Sequence, residues 1–230
     1  MAVQYNPGIV TDALVLCLDA ANRKSATTTG TTWTNLIGYA GCTNANGVTF
    51  VNNNFGVFSY DGVDDHTILP ASIIPTGTQI TVSIWQNISN VSNRSSFYMN
   101  AAAPNYYRVF QAHIPWSNND VYWDAGAGTG GYDRINKSTT LAERTGWHNW
   151  VFTKNATAGT MRIYLDGVSW HSGTSKTANI GTSAFAYLGG AWWDGFWFSG
   201  TIGYFSIYNR ELNATEVLQN FNALRGRFGI

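Results

Sequence analysis

The sequence predicts an all-β protein, built as a two-layer sandwich of strands with one short helix near the C-terminus. Short apolar-alternating stretches separated by turn residues dominate the chain, which is typical of all-β proteins. Helical spacing of apolar residues is credible in one place, residues 213–228. No solenoid repeat or low-complexity linker divides the chain, so residues 13–230 are predicted to form a single domain. Residues 1–12 are predicted to form an N-terminal arm, either loose or tied to an edge.

Individual strands follow from their local patterns. Residues 14–20 ("LVLCLDA") are apolar at successive positions, which predicts a central strand covered on both faces. Residues 79–88 alternate apolar and polar side chains, as a half-buried strand does. Asp166 and Gly167 predict a two-residue hairpin turn, because both residue types tolerate positive φ. Further strands are predicted within residues 147–154, 160–165 and 201–212.

The helix carries its own boundary signals. Asn213 can cap its N-terminus, and Glu216 three residues later completes a capping box. Gly226 is predicted to end it. The residues that share its apolar face are Val217, Leu218, Phe221 and Leu224.

Composition excludes several functional classes. Charged residues make up only 11% of the chain, aromatic residues 15%, and the formal net charge is +0. A neutral chain without basic runs predicts no binding to nucleic acid and none to anionic membranes. A lightly charged surface repels copies of itself poorly, so it favours dense assembly and a homo-oligomer.

The N-terminus and the cysteines bear on location. The apolar run of residues 13–18 is too short for a signal-peptide core and lacks a charged segment before it, so we expect synthesis in the cytoplasm without a signal peptide. Cys17 and Cys42 are too few for a disulfide framework or a zinc site. A buried thiol at Cys17 and a Cys17–Cys42 bridge are both open.

Several segments together resemble one family. "YDGVDDHTIL" (60–69), "ITVSIWQ" (80–86), "WHNWVFTKNATAGTMRIYLDGV" (147–168) and "FSGTIGYFSIYNRELNATEVLQNFNALRGRFG" (198–229) occur in the order found in LamG-like, concanavalin A-like domains. "LDAAN" (18–22) and "TTWTNLIG" (31–38) resemble the entry segment of the same domains. The C-terminal segment is similar to stand-alone LamG-like proteins of tailed bacteriophages. The resemblance implies an antiparallel jelly-roll sandwich, in a family whose members bind sugars, bind proteins, serve structurally or hydrolyse glucans.

Hydrolysis is disfavoured by the acidic residues. Glycosidases need two carboxylates across the sugar. Asp120 and Asp124 lie four residues apart on a predicted strand and are interpreted as solvated or turn-forming acids. The chain has only three glutamates, Glu143, Glu211 and Glu216, and none has the paired spacing of the glucan-hydrolysing relatives. We therefore predict no catalytic residues and no enzyme activity.

A metal site is also disfavoured. Asp61, Asp64 and Asp65 cluster hard oxygens of the kind that suit calcium, which some relatives of the family hold at the rim of the sandwich. A turn held by aspartate–backbone hydrogen bonds accounts for the same residues and is the favoured interpretation. We predict no cofactor and no metal.

Exposed aromatic residues form the candidate binding site. Trp192, Trp193 and Asp194 lie in a turn framed by glycines. In the strand that follows, Phe196 and Phe198 share a face and are predicted to belong to the core, so Trp197 points the opposite way. Trp116 and Trp123 flank an asparagine-rich loop. Such rings can anchor a protein interface, stack on sugars, or fold back over a sheet edge.

We favour the interface, and predict a non-enzymatic accessory protein of a phage virion. We predict that it lies on the capsid as a decoration protein that contacts capsid proteins and copies of itself. The alternative is a carbohydrate-binding module or a tail-associated adhesin for the host surface, with glycans as partners.

Overall fold

A computed structural model describes residues 8–38, 40–89, 95–102, 108–126, 131–191 and 195–230. In chain order its strands are β1 (Leu14–Asp19), β2 (Thr32–Thr34), β3 (Gly41–Ala45), β4 (Thr49–Val51), β5 (Val57–Asp61), β6 (His66–Ile68), β7 (Gln79–Ile88), β8 (Ser95–Asn100), β9 (Arg108–His113), β10 (Asp120–Gly126), β11 (Tyr132–Ser138), β12 (Trp147–Asn155), β13 (Thr160–Leu165), β14 (Val168–Gly173), β15 (Phe185–Leu188), β16 (Gly190–Ala191), β17 (Phe196–Trp197) and β18 (Ser199–Tyr208). The helices are α1 (Ala214–Phe228) and two short 3-10 helices, Ala71–Ile73 and Ala142–Arg144.

Two antiparallel sheets of eight strands form the sandwich. The first sheet has the order β14-β13-β12-β7-β18-β5-β4, and β1 also pairs with β18. The second sheet has the order β11-β10-β9-β8-β15-β6-β3-β2, and β16 and β17 form a separate two-stranded ribbon. The predicted all-β sandwich with one C-terminal helix is confirmed.

Aromatic and aliphatic side chains fill the space between the sheets. The ring of Phe97 on the second sheet lies 5.6 Å from the ring of Phe152 and 5.7 Å from that of Phe205, both on the first sheet. Trp33 and Trp150 are fully buried in the same core. Burying an aromatic side chain removes a large apolar area from water, at about 25 cal/mol per Å², so these rings are a main source of the affinity between the sheets.

Helix α1 covers the outer face of the first sheet. Trp85 on β7 stacks between two of its rings, with centroids 5.6 Å from Phe221 and 4.4 Å from Phe228. The predicted capping box between Asn213 and Glu216 is present. None of the helices in the described segments is both long and apolar enough to span a bilayer.

The predicted end of the helix at Gly226 is wrong. Helix α1 continues to Phe228 and ends at Gly229, whose φ of 77° is the left-handed conformation that glycine adopts readily. The extra residues place the Phe228 ring against Trp85, and that buried contact outweighs the low helix propensity of Gly226.

Strand β1 lies at an edge of the first sheet, so its predicted central position is wrong. Its one strand partner is β18 among the strands described. Its apolar character has another cause, because Leu16 packs between the sheets while Leu14 and Cys17 lie in the cluster under α1. Asn35 satisfies the free edge: its Oδ1 accepts from the Cys17 N–H at 2.8 Å and its Nδ2 donates to the Val15 carbonyl at 3.1 Å.

The described end of the N-terminal arm contacts α1. The Val10 N–H donates to Asn220 Oδ1 at 2.7 Å, and its carbonyl accepts from the Tyr208 hydroxyl at 2.9 Å. Gln219 Nε2 donates to the Gly8 carbonyl at 2.8 Å. This segment is therefore tied to the helix, while residues 1–7 lie outside the described part of the chain.

Both cysteines are buried and free, so the alternative of a Cys17–Cys42 bridge is wrong. Cys17 lies in the cluster under α1 and Cys42 in the core between the sheets. Burial raises the pKa of Cys17 to about 11 and that of Cys42 to about 12. Both groups are therefore thiols at neutral pH.

Candidate functional site

The outer face of the second sheet carries polar side chains that alternate with core residues. On β10 and β9, Trp123 and Ala112 point into the core between the sheets. Because successive side chains of a strand point to opposite faces, Asp124 on β10 and Gln111 on β9 point outward. The strand register places Asp124 directly between Gln111 and Arg134 of β11.

Asp124 is a fully buried carboxylate with several charged or polar donors. Arg134 Nε lies 2.6 Å from its Oδ1, and Arg134 Nη2 lies 2.7 Å from its Oδ2. Gln111 Nε2 donates to Oδ2 at 2.8 Å and also lies 2.9 Å from His113 Nε2. The hydrogen bonds to Asp124 raise the pKa of Arg134 further. Such charge-assisted bonds offset the loss of water around a buried carboxylate.

The interpretation of Asp120 and Asp124 as solvated or turn-forming acids is therefore wrong. Asp124 has no exposed side-chain surface, and Asp120 is also buried. Asp120 accepts hydrogen bonds from Asn136 Nδ2 at 2.7 Å and from the Ser138 hydroxyl. Both carboxylates are held by donors on β11, the neighbouring strand.

A second arginine approaches the same carboxylate. Arg108 Nη1 lies 3.8 Å from Asp124 Oδ2, and its short hydrogen bond, 2.7 Å, is to the Tyr132 hydroxyl. Both guanidinium groups lie over aromatic rings: Arg108 over Tyr132 at 5.2 Å, and Arg134 over Tyr122 at 4.7 Å. Cation–π contacts of this kind fix the guanidinium planes.

A cavity of about 160 Å³ opens beside these groups. It is lined by Arg108, His113, Trp116, Tyr122 and Arg134. The Trp116 ring lies 4.5 Å from the His113 ring and 4.6 Å, edge-on, from the Phe196 ring. Two guanidinium groups and two large aromatic side chains therefore line one small space.

The outer face extends well beyond this cavity. Directly paired residues form one row across six strands, from Ile68 through Tyr187, Tyr98, Gln111 and Asp124 to Arg134. Adjacent strands lie about 4.8 Å apart, so the row is about 24 Å long. It mixes aromatic, amide and charged side chains. Its four middle members are buried, and Ile68 at its end is exposed.

The six residues predicted from the sequence as interface or glycan-binding residues have different positions. Trp192, Trp193 and Asp194 lie outside the described residues. Trp116 lines the cavity, and Trp197 is half-buried on the β16–β17 ribbon, 5.4 Å from the His66 ring. The prediction that Trp123 is an exposed binding residue is wrong. Trp123 is fully buried in the core, and its Nε1 donates to the Thr153 carbonyl at 3.1 Å.

The ribbon also corrects one predicted core residue. Phe196 and Phe198 were predicted to share one core face. Phe198 is fully buried, as predicted. Phe196 is instead half-buried and packs against Trp116 and, at 6.2 Å, His113. It pairs with Ala191 in the ribbon rather than continuing β18, so it belongs to the wall of the candidate site.

The three glutamates have structural partners. Glu143 accepts from the Thr140 N–H and from Trp170 Nε1, both at 2.7 Å. Glu211 accepts from Arg162 and Asn155, and Glu216 from Arg210 and the Asn213 N–H.

Asp61, Asp64 and Asp65 come together at the turn between β5 and β6, with carboxylate oxygens within 4.8 Å of one another. Asp61 Oδ1 accepts from the Val63 N–H at 2.8 Å, and Asp65 Oδ2 accepts from the Asp61 N–H at 2.9 Å. Burial raises the pKa of Asp65. The predicted turn accounts for these contacts.

Sequence reasoning missed the residues around Asp124. Arg108 and Gln111 lie on β9 and Arg134 lies on β11, and no sequence motif links them. The alternation on β10 could have shown that Asp124 shares a face with Tyr122 and Asp120. Only the strand order brings β9 and β11 to its two sides.

Comparison with protein families gives one match. The family model for the concanavalin A-like lectin/glucanases superfamily, Laminin_G_3, matches residues 61–218, more than half of the chain. Comparison with curated proteins gives no sequence match.

Solved structures share the fold at low sequence identity. Domain 4 of AbnA, a GH43 extracellular arabinanase from Geobacillus stearothermophilus, was solved in complex with arabinotriose; it has a TM-score of 0.66 and 17% identity, over 90% of this chain and 97% of that chain. The binding domain of botulinum neurotoxin DC in complex with SialylT has a TM-score of 0.67 and 18% identity, over 93% of this chain. The match covers 52% of that domain, so this chain spans about half of it. The serotype G binding domain has a TM-score of 0.68 and 15% identity, over 90% of this chain and 50% of that one.

Proposed function

This chain belongs to the concanavalin A-like lectin/glucanases superfamily, and from that premise we propose that it is a non-catalytic carbohydrate-binding module. The ligand binds on the outer face of the second sheet. One observation carries the proposal: the cavity in which Trp116, Tyr122 and two arginines surround the buried Asp124 network. This function was the alternative in the sequence analysis, and the geometry of the second sheet now favours it.

The chemistry of the cavity suits a sugar. Aromatic side chains such as Trp116 and Tyr122 can pack against the apolar face of a sugar ring, and a few fixed polar groups then provide orientation. The cavity volume of about 160 Å³ is below the about 300–1,000 Å³ of pockets that enclose a drug-sized ligand. It therefore suits one ring of an oligosaccharide, and the other rings would lie outside the cavity.

Two structural neighbours support a glycan ligand. The arabinanase domain was solved with arabinotriose and the neurotoxin domain with SialylT. Those ligands belong to those proteins, and at 17–18% identity the similarity supports the fold alone. The fold is thus compatible with glycan binding, and the ligand must be sought from the residues of this chain.

The environment of the acids supports a role without catalysis. Both oxygens of Asp124 are occupied by Arg134, and its side chain is completely buried. A glycosidase needs two carboxyl groups about 5–9.5 Å apart on either side of the bond to be cleaved. The three glutamates are engaged in contacts away from this cavity.

The test is a glycan array with matched variants. We expect the wild-type protein to bind a defined subset of oligosaccharides, and Trp116→Ala to abolish that binding without unfolding the protein. Phe55→Ala is the control, since Phe55 is an exposed ring that does not line this cavity. Retained binding in Trp116→Ala, or release of reducing sugars from the bound glycan, would overturn the proposal.

A second function rests on the low surface charge. With 11% charged residues and exposed apolar side chains such as Phe55 and Leu141, the surface favours contact with neighbouring chains. Because the C-terminal segment also resembles stand-alone LamG-like proteins of tailed bacteriophages, the second proposal is a homo-oligomeric decoration protein of a phage capsid, which would place the protein on the virion. Mass spectrometry of purified virions and sedimentation of the protein test it. A strict monomer at high concentration that does not co-sediment with particles would exclude it, and loss of assembly in a Trp192→Ala, Trp193→Ala double variant would support it.

A further inference from the structure

The cavity beside Asp124 contains more positive than negative charge. Arg108 and Arg134 both approach Asp124, and in the described part of the chain neither forms an ion pair with another acid. Asp133 lies next to Arg134 in sequence, but its carboxylate accepts from Lys154 Nζ at 2.6 Å. One carboxylate thus faces two guanidinium groups, which leaves an excess of one positive charge.

Asp124 neutralises the charge of Arg108 less than it neutralises that of Arg134. Arg134 makes two short hydrogen bonds to Asp124, whereas the nearest nitrogen of Arg108 is 3.8 Å away and donates to Tyr132 instead. A guanidinium has five N–H donors. The other N–H groups of Arg108 have no protein partner among the described residues, and 32% of its side chain is exposed. Arg108 therefore has donors free for a ligand.

Both guanidinium groups are held before a ligand arrives. Tyr132 receives a hydrogen bond from Arg108 and lies under it, while Tyr122 lies under Arg134 and is itself fixed by a 2.8 Å hydrogen bond from Asn118. A pre-organised side chain loses less conformational freedom on binding. Planar, fixed guanidinium groups also match the oxygen geometry of a carboxylate or a sulfate.

We propose that this cavity binds the acidic group of a charged sugar, a uronic-acid carboxylate or a sulfate ester, through Arg108 with Arg134. The inference rests on the proposed carbohydrate-binding function and specifies its ligand class. The acidic ring occupies the cavity against Trp116 and Tyr122. Its anion replaces water at the donors of Arg108 and neutralises the charge that Asp124 leaves unpaired.

The experiment compares glycans that differ in charge alone. An array presents oligouronates beside their methyl esters, and sulfated oligosaccharides beside their desulfated forms. Calorimetry then measures the affinities of both members of the pair that binds most strongly on the array. We expect the acidic member to bind at least about tenfold more tightly, because a charge-assisted hydrogen bond contributes more than about 1.4 kcal/mol, the equivalent of tenfold in affinity. The two arms of the array distinguish carboxylate from sulfate.

Matched arginine variants locate the effect. Arg108→Gln removes the proposed donors but leaves the two Arg134–Asp124 bonds in place, so we expect a loss of about tenfold for the acidic glycan and little change for its neutral partner. Arg108→Lys keeps the positive charge but lacks the planar guanidinium. Its affinity for the acidic glycan is expected to lie between those of the wild type and Arg108→Gln. Arg225→Gln removes an exposed arginine on α1, against the other sheet, and should leave binding unchanged.

The outcomes separate this inference from the function on which it rests. Equal binding of acidic and neutral members would overturn the charge preference while carbohydrate binding stands. An equal loss in Arg108→Gln and Arg225→Gln would also overturn it, since net charge alone would then explain the affinity. Binding of no glycan in either form would overturn both proposals. Thermal unfolding of each variant confirms that a loss is not caused by misfolding.

Discussion

Arg134 and Asp124 occupy directly opposite positions on β11 and β10, and the guanidinium binds both carboxylate oxygens, at 2.6 Å and 2.7 Å. The pair is asymmetric, because the Asp124 side chain is completely buried while 37% of the Arg134 side chain remains exposed. The carboxylate therefore depends on the arginine for its solvation, and the arginine remains partly hydrated.

Asp124→Asn should destabilise the protein by about 1–3 kcal/mol, because buried hydrogen-bond donors then lose their charged acceptor. Urea unfolding measures the change in the free energy of unfolding. Asp12→Asn is the control, since Asp12 pairs with Arg210 but 82% of its side chain is exposed. The control is expected to change stability by less than about 0.5 kcal/mol. Equal effects of the two substitutions would mean that the Asp124 network contributes no more than a surface ion pair.

Trp123→Ala should mainly reduce stability, whereas Trp116→Ala should mainly reduce glycan binding. Trp123 is fully buried between the sheets, so its removal leaves a cavity and should cost about 3–5 kcal/mol of stability. Trp116 is half-buried at the cavity, so its removal should reduce stability by less, about 1 kcal/mol, while glycan binding is lost. Thermal unfolding and binding are measured on the same samples. A Trp123→Ala protein of wild-type stability would show that this ring is not a core residue.

Asp166→Asn should make the unfolding free energy less dependent on pH. Burial opposes protonation of His148, but the 2.8 Å hydrogen bond to Asp166, the negative charge of Asp166 and two backbone carbonyls together raise the pKa of His148 above its ordinary value. A raised pKa in the folded state stabilises the protein fully below the unfolded value, and this contribution disappears as pH rises through the folded pKa. Asparagine preserves the turn at this position, where φ is 50°.

The measurement for this pair compares urea unfolding of wild type and Asp166→Asn at about pH 5.5 and about pH 8.5, on either side of the ordinary histidine pKa. The stability difference between the two proteins should be larger at the lower pH. A difference that is constant across this range would contradict protonation-linked stabilisation by His148.

Asn213→Ala should destabilise the protein by about 1 kcal/mol, since the Asn213 side chain accepts the Glu216 N–H at 3.0 Å and caps α1. Asn222→Ala, within the same helix, replaces asparagine where alanine has the higher helix propensity, so it should be neutral or slightly stabilising. Chemical denaturation of both variants provides the comparison. Equal effects at the two positions would exclude a specific capping contribution.

The sequence was sufficient for features that depend on near neighbours along the chain. The Asp166–Gly167 turn follows from two adjacent residue types and the capping box from two residue types three positions apart, and both are present. The end of α1 was mispredicted because Gly226 is a local signal, whereas the Phe228–Trp85 contact joins residues far apart in sequence. Local propensity is outweighed wherever such a contact buries apolar area.

The candidate site could not be predicted for the same reason. Arg108, Asp124 and Arg134 become neighbours only through the order of β9, β10 and β11, and that order depends on how the whole sheet assembles. Trp123 was assigned to the surface from the polar composition of its loop, whereas its position on β10 places it on the core face. Both the neighbours of Asp124 and the burial of Trp123 depend on strand register, because a shift of one position moves every side chain of a strand to the opposite face.

The two shielded thiols make this protein convenient for site-specific labelling. Thiolates, rather than thiols, react with maleimide dyes, and both native sulfurs are buried and protonated at neutral pH. A single cysteine substituted at Ile68, at the exposed end of the row across the second sheet, would therefore take up the dye selectively. The labelled protein could then be followed by fluorescence in glycan-binding measurements, with no need to remove either native cysteine.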